Sequence, residues 1–262
     1  MRNTWPDSFL VVAFGSQAVV AVDCGWESLF TSASNALFWS VLMVYHAHRW
    51  YKLGRGFYPD QLNHQRFHLL VALTSTLLAL ATGFKWFVNH PVWVLFPVLW
   101  VLLYTIGKPG LISGRQLWWF KNFAVATGWT YACSLLPIID SIDSLDEIQG
   151  ATLAVRWIFF FCLGGLTDFK DFASAHPEEH SLVRQWGLAP ARWVYAAAVI
   201  ASIPLISLHP DRHWQYTAWF STTGILISIF LTRPGFPMAY FRWWIDGQLL
   251  WAGLFYTVML YC

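Results

Sequence analysis

Apolar residues along this chain occur in long continuous runs, and short polar stretches separate them. A helix that crosses a bilayer needs about 20 mostly apolar residues. Nine runs of roughly that length are present, covering residues 8–24, 34–51, 67–84, 91–106, 117–137, 151–167, 190–208, 214–232 and 240–261. We therefore predict an all-α fold, a bundle of about nine transmembrane helices, and a single domain over residues 1–262.

Composition supports a multi-pass membrane protein. Hydrophobic residues make up 57% of the chain and charged residues only 11%, whereas a soluble domain carries about 25% charged residues. Aromatic residues make up 19%, which suits the two membrane interfaces where amphipathic rings collect. The apolar runs are continuous rather than alternating, which argues against strands of a membrane barrel. No basic tract is interleaved with loops, so no nucleic-acid partner is predicted.

The basic residues predict an orientation. With nine crossings, thirteen of the sixteen Lys and Arg residues fall on the side of the N-terminus, and only Lys85, Arg156 and Arg212 fall on the other. Positive residues are enriched on the cytoplasmic side of membrane proteins. The sequence thus predicts an integral inner (cytoplasmic) membrane protein with a cytoplasmic N-terminus and a C-terminus outside.

Three polar segments follow apolar runs on the predicted cytoplasmic side. Residues 45–50 read YHAHRW after the second run, Tyr104 and Lys108 follow the fourth, and Asp168 and Asp171 end the sixth. The i, i+3 spacing of the two aspartates places both on one face of a helix end. Ionisable side chains beside hydrocarbon are costly, so a converging set predicts a functional site.

The order of these segments resembles the UbiA-type intramembrane prenyltransferase superfamily. In that family the sixth helix ends in a segment like N-D-x-x-D-x-E-G-D, and here Thr167 to Ala175 read TDFKDFASA. The spacing of Tyr104 and Lys108 is similar to the family's Tyr-Pro-x-x-Lys segment. This chain departs from the family at Ala173 and Ala175, which replace acids, and at residues 45–50, where the first aspartate motif is absent.

The resemblance implies a UbiA-like prenyltransferase, or a related isoprenoid-diphosphate enzyme, that transfers an isoprenyl group from a diphosphate donor. It implies Asp168 and Asp171 as catalytic residues and as the remaining Mg²⁺ ligands, although the loss of the first motif weakens the Mg²⁺ site. The diphosphate end is then expected to be lined by Tyr45, His46, Arg49, Tyr104, Lys108 and Lys170. The expected partners are an isoprenoid diphosphate or another lipid, together with membrane lipids.

Two other functions remain open. A relative without two-metal chemistry could bind a lipid or pigment in the same cavity without catalysis. Alternatively, histidine pairs on the predicted cytoplasmic side could form a membrane metal oxidase, since imidazoles bind iron. These pairs are His46 with His48, His64 with His68, and His176 with His180.

Four further polar or aromatic residues lie inside predicted helices. Asp246 comes four residues after Arg242, which predicts an intrahelical ion pair shielded from lipid. Lys121 is expected to extend its side chain to the interface. Asn122 and Trp129 are expected to pack in the bundle or to line its cavity.

Overall fold

The computed structural model describes residues 7–54, 64–93, 95–96, 99–100, 118–141, 146–172 and 181–261. Every regular element in this described part is helical. Its eight helices of more than ten residues are α1 (Asp7–Cys24), α2 (Ser32–Gly54), α3 (Gln65–Asn89), α4 (Trp118–Thr130), α5 (Glu147–Asp171), α6 (Leu188–Ser207), α7 (Arg212–Leu231) and α8 (Gln248–Tyr261). The predicted all-α fold is confirmed.

Four of the described helical stretches are long and apolar enough to cross a membrane. They are Gln65–Asn89, Phe120–Ile139, Glu147–Phe169 and Leu188–Ser207. Two apolar helices, Phe9–Cys24 and Gln248–Tyr261, are shorter. The chain therefore has the helices of a membrane protein, while the count of nine crossings stays a prediction. The fourth predicted run, 91–106, is described only in part.

Helix α5 begins earlier than its apolar run suggests, because a polar capping box starts it. The Asp146 carboxylate accepts a hydrogen bond of 2.7 Å from the backbone N–H of Gln149, and the Gln149 amide accepts one from the Asp146 N–H at 3.3 Å. Reciprocal bonds of this kind satisfy donors that have no partner inside the helix. The helix thus starts at Glu147 rather than near the predicted residue 151.

Two helices contain a π-helical turn. Helix α4 continues as a π-turn over Tyr131–Leu135 and then as a 3₁₀ turn over Leu136–Ser141. A second π-turn, Phe241–Ile245, precedes α8, and the backbone N–H of Asp246 donates to the Phe241 carbonyl at 2.8 Å. Such turns insert one residue into the helical repeat and are frequent at functional sites.

Helices α1 and α5 form the centre of the bundle. Helix α1 packs against α2 and α8, and α5 packs against α4, α6 and α7. The fully buried side chains at this centre include Leu166, Phe169, Tyr195 and Ile245. One cavity is lined by residues from the first half of α1, the second half of α2, α4, the second half of α5 and the second π-turn.

Candidate functional site

The cavity between these elements has a volume of about 350 Å³. Its described apolar wall comes from Phe9, Val12, Val125, Trp129, Phe160, Leu163, Phe241 and Leu249. The aromatic rings are packed on one another, with Trp129 stacked on Phe160 at 5.7 Å and Phe9 tilted on Tyr45 at 5.2 Å between centroids. The cavity is concave and largely apolar, which is the usual character of a small-molecule site.

Polar groups line the same cavity. They are Tyr45, His48, Lys121, Asn122, Thr167, Arg242 and Asp246. Lys121 forms an ion pair with Asp168, whose side chain is almost fully buried. A buried carboxylate is tolerated when a cation compensates its charge. Lys121 therefore turns inward to Asp168 instead of extending to the interface.

The Asn122 side chain is buried in the cavity wall, with 2% of its surface exposed. Its Nδ2 donates a hydrogen bond of 2.8 Å to the phenol oxygen of Tyr195, a residue that is itself fully buried. Its Oδ1 accepts no hydrogen bond from any described residue. Buried amide oxygens normally have a partner, so this atom needs a physical explanation.

Two adjacent glycines on α5, Gly164 and Gly165, face different surroundings. A Cβ at Gly164 would lie 3.6 Å from Val125 Cγ1 and 3.8 Å from Asn122 Oδ1, which is ordinary contact. A Cβ at Gly165 would lie only 2.1 Å from Tyr195 Cζ. The absence of a side chain at Gly164 thus leaves room for about one methyl group beside Asn122, while Gly165 allows α5 and Tyr195 to pack closely.

The second π-turn places Arg242 and Asp246 on the cavity. Both side chains line it, together with Phe241 and Leu249. The predicted intrahelical ion pair between Arg242 and Asp246, shielded from lipid, stays a prediction. The extra residue of the π-turn changes which positions of this segment share a face.

The predicted site residues reach different places. Tyr45 lines the cavity, and Asp168 adjoins it through Lys121. His46 is buried next to Tyr45 but contacts His68, and Arg49 is not among the described lining residues. Tyr104 and Lys108 lie outside the described residues. For Lys170 and Asp171 the structure describes the backbone at the end of α5 and not the side chains.

The histidines of the oxidase hypothesis come together only in part. The Nδ1 atoms of His46 and His68 lie 3.0 Å apart, a hydrogen bond that joins α2 to α3. His48 instead lines the cavity. Within the described residues, no group of three or more His, Cys, Asp or Glu side chains could hold a metal ion. His176 and His180 lie outside the described residues.

Sequence reasoning missed a second polar cluster, which lies far from the cavity. Arg156 precedes Asp168 by twelve residues on α5, which at about 1.5 Å per residue is roughly 18 Å. Its Nη2 and Nε donate to Asp23 Oδ1 at 2.6 and 2.8 Å, and both side chains are buried. Ser134 Oγ and Trp214 Nε1 add hydrogen bonds to the same carboxylate at 2.6 and 3.0 Å.

In the described residues, the chain is all-helical, has four helical stretches long and apolar enough to cross a membrane, and encloses an apolar cavity that is polar at one side. Comparison with protein-family models, with curated proteins and with solved structures found no match.

Proposed function

We propose that this protein binds an isoprenoid, or a chemically similar lipid, in the cavity, with the polar end of the lipid near Lys121. The observation that carries the proposal is a cavity whose wall is aromatic and aliphatic over most of its extent and polar at Tyr45, Lys121 and Arg242. Aromatic and branched side chains suit an unsaturated hydrocarbon tail, while the polar groups suit a head group.

The more specific form of the proposal is a UbiA-like prenyltransferase. Asp168 supports it, because a predicted catalytic carboxylate adjoins the cavity. In the enzyme, Asp168 and Asp171 would hold Mg²⁺, which would neutralise a diphosphate leaving group. Hard oxygen ligands suit Mg²⁺, but Asp168 is paired with Lys121. Binding of Mg²⁺ to Asp168 would therefore require Lys121 to leave, and the described residues alone do not complete a metal site.

The Lys121–Asp168 pair supports the second form of the proposal, a protein that binds the lipid without transferring a prenyl group. A lysine that compensates the carboxylate permanently gives the site a polar end without a metal. This form needs only the cavity, and it keeps the lipid ligand while removing the transfer reaction.

Photoaffinity labelling tests lipid binding. The full-length protein in lipid nanodiscs is exposed to a geranylgeraniol probe that carries a diazirine, and the labelled peptides are identified by mass spectrometry. We expect labelling on α4 and α5 around Val125 and Leu163, competed by unlabelled geranylgeraniol.

Gly164→Leu should abolish this labelling, because the leucine side chain fills the space in front of Asn122. Gly150→Leu adds the same side chain to the same helix where a Cβ would meet no atom within 4 Å, and should label normally. Labelling confined to lipid-facing residues, or unaffected by Gly164→Leu, would refute the proposal.

Diphosphate release then separates the enzyme from the binding protein. A prenyltransferase should release inorganic diphosphate from geranylgeranyl diphosphate with an acceptor present, depend on Mg²⁺, and lose release in Asp168→Asn and in Asp171→Asn. Release that persists with EDTA and in both variants would exclude the metal-assisted reaction. Lipid binding without any release leaves the form without catalysis.

A further inference from the structure

The amide oxygen of Asn122 is the clearest unexplained atom of the cavity. It is an acceptor on a side chain that is 2% exposed, and no described residue donates to it. Its own Nδ2 donates a hydrogen bond of 2.8 Å to the Tyr195 phenol oxygen, so the other half of the amide already has a partner. A buried acceptor without a donor is destabilising, and such a group is retained where a ligand or water satisfies it.

The surroundings of this oxygen allow a ligand atom to approach. Gly164 on the facing helix has no side chain to cover the space, and a Cβ placed there would lie 3.8 Å from Oδ1. Both residues line the cavity. Val125 Cγ1, an apolar atom, lies 3.6 Å from the same Cβ position. The missing side chain at Gly164 therefore leaves room for a donor from a bound molecule to approach Asn122 Oδ1.

The charges near the cavity favour a neutral donor. Among the described residues, the lining carries Lys121 and Arg242 as cations and Asp246 as an anion. Asp168 adds a second carboxylate on Lys121, so the formal charges of these four residues balance. A neutral hydroxyl group can donate to an amide oxygen without disturbing that balance.

We infer that Asn122 recognises a hydroxyl group on the bound lipid, so that the site selects a hydroxylated isoprenoid over analogues without an O–H donor. This inference rests on the proposed lipid-binding function and names the chemical class of its ligand. The hydroxyl lies in the space above Gly164 and donates to Asn122 Oδ1, while Asn122 Nδ2 donates to Tyr195. A site built to hydrogen-bond a hydroxyl rejects an analogue that lacks it, because its own polar atom is then left unpaired.

Matched probes test the inference. Geranylgeraniol, its methyl ether and the corresponding aldehyde share one tail, and only the alcohol donates a hydrogen bond. Dissociation constants are measured on the full-length protein in nanodiscs by competition with the diazirine probe. Wild type should bind the alcohol about tenfold or more tighter than the ether or the aldehyde, as one hydrogen bond to a buried acceptor predicts. Asn122→Leu should bind all three with similar affinity. Lys85→Leu, at an exposed position outside the cavity lining, should behave as wild type.

Each result decides the question. Equal affinities in wild type, or a preference for the ether or the aldehyde, would overturn the role of Asn122, and this comparison does not depend on any variant folding. A preference for the alcohol that survives in Asn122→Leu would overturn it as well. If the diazirine probe does not label the protein, or if none of the three compounds competes with it, lipid binding itself fails. Binding without discrimination refutes only the hydroxyl selectivity.

Discussion

Two acid–base pairs each have one member on α5, Arg156 in one pair and Asp168 in the other, and they differ in what surrounds them. The Asp23 carboxylate accepts hydrogen bonds from Arg156, Ser134 and Trp214. The Trp214 indole also packs against the guanidinium group, with Arg156 Cζ 5.5 Å from the ring centroid. Lys121 and Asp168 instead adjoin a cavity of about 350 Å³, where Asn122 keeps an acceptor that no described residue satisfies. We call Asp23 with its three donors the satisfied cluster, and Lys121, Asp168 and Asn122 beside the cavity the open cluster. We expect the satisfied cluster to stabilise the fold and the open cluster to bind a ligand.

The largest expected effect is at the satisfied cluster. Arg156→Met leaves the Asp23 carboxylate buried with Ser134 and Trp214 as its remaining donors. Removing one partner of a buried pair costs about 3–5 kcal/mol, and we expect a lower Tm of the purified protein in detergent. The double variant Asp23→Leu with Arg156→Met should recover part of the loss. A single variant as stable as wild type would contradict a structural role for the cluster.

A smaller effect is expected at the pair beside the cavity. Lys121→Met leaves Asp168 without its lysine, but water can enter the adjacent cavity, so we expect a loss of about 1–3 kcal/mol. The double variant Lys121→Met with Asp168→Asn removes both charges and should recover most of the stability. The comparison with wild type uses the same thermal unfolding measurement. A loss in Lys121→Met as large as in Arg156→Met would show that the two pairs have the same role.

Gly164 and Gly165 test the difference between cavity wall and packed core at two adjacent positions. Gly165→Ala forces a methyl group onto Tyr195, and overpacking of this kind costs about 1–3 kcal/mol. Gly164→Ala places its methyl group in ordinary contact at the cavity wall, and because alanine is favoured over glycine inside a helix by about 0.5–1 kcal/mol, we expect no loss of stability. Thermal unfolding of both variants measures the contrast. Equal destabilisation would mean that Gly164 faces packed core and that the cavity is not open there.

Part of the fold and of the candidate site could be predicted from the sequence. The continuous apolar runs gave α1 and α2 to within a few residues, because length and hydropathy alone determine where such helices lie. The ends of α2 and α5 were expected to share one side, and Tyr45 and Asp168 do lie at the same end of the bundle. Periodicity could not reveal the π-turn at Phe241–Ile245, since the turn departs from the 3.6-residue repeat on which the pattern depends.

The buried pairs could not be predicted for a different reason. Arg156 and Lys121 were assigned by a rule for loop charges, and that rule does not distinguish a basic residue at the interface from one paired inside the bundle. The partners are 133 residues apart for Arg156 with Asp23 and 47 apart for Lys121 with Asp168. Only the packing of the helices brings such distant residues together. The sequence predicts that Asn122 packs in the bundle or lines its cavity, but its hydrogen bond to Tyr195 joins residues far apart in the chain, and no local pattern encodes such a contact.

The smallest expected effect is a pH dependence at the satisfied cluster. His209 lies after α6 and stacks on Trp214 at 4.2 Å between centroids. Burial lowers the pKa of His209, while the backbone and carboxylate of Asp211 oppose that shift. Because the pKa is lower in the folded protein, the neutral form contributes stability above the ordinary histidine pKa of about 6.5, and this contribution is lost as the pH falls toward the folded value.

We expect a small decrease in Tm between about pH 7 and pH 5, and a smaller decrease in His209→Gln, which cannot titrate. Wild type and variant are compared in the same detergent at each pH. A pH dependence that is identical in the two proteins would show that His209 does not contribute to it.

The central claim is that the open cluster, unlike the satisfied one, exists to hold a lipid. Mass spectrometry of lipids that co-purify with the protein tests it most directly, comparing wild type with Gly164→Leu and Gly150→Leu. We predict that a hydroxylated isoprenoid co-purifies with wild type and with Gly150→Leu but not with Gly164→Leu. The Tm of Gly164→Leu should be close to that of wild type, which shows that the variant is folded. Equal occupancy in all three proteins, or only bulk membrane phospholipid in wild type, would contradict the claim.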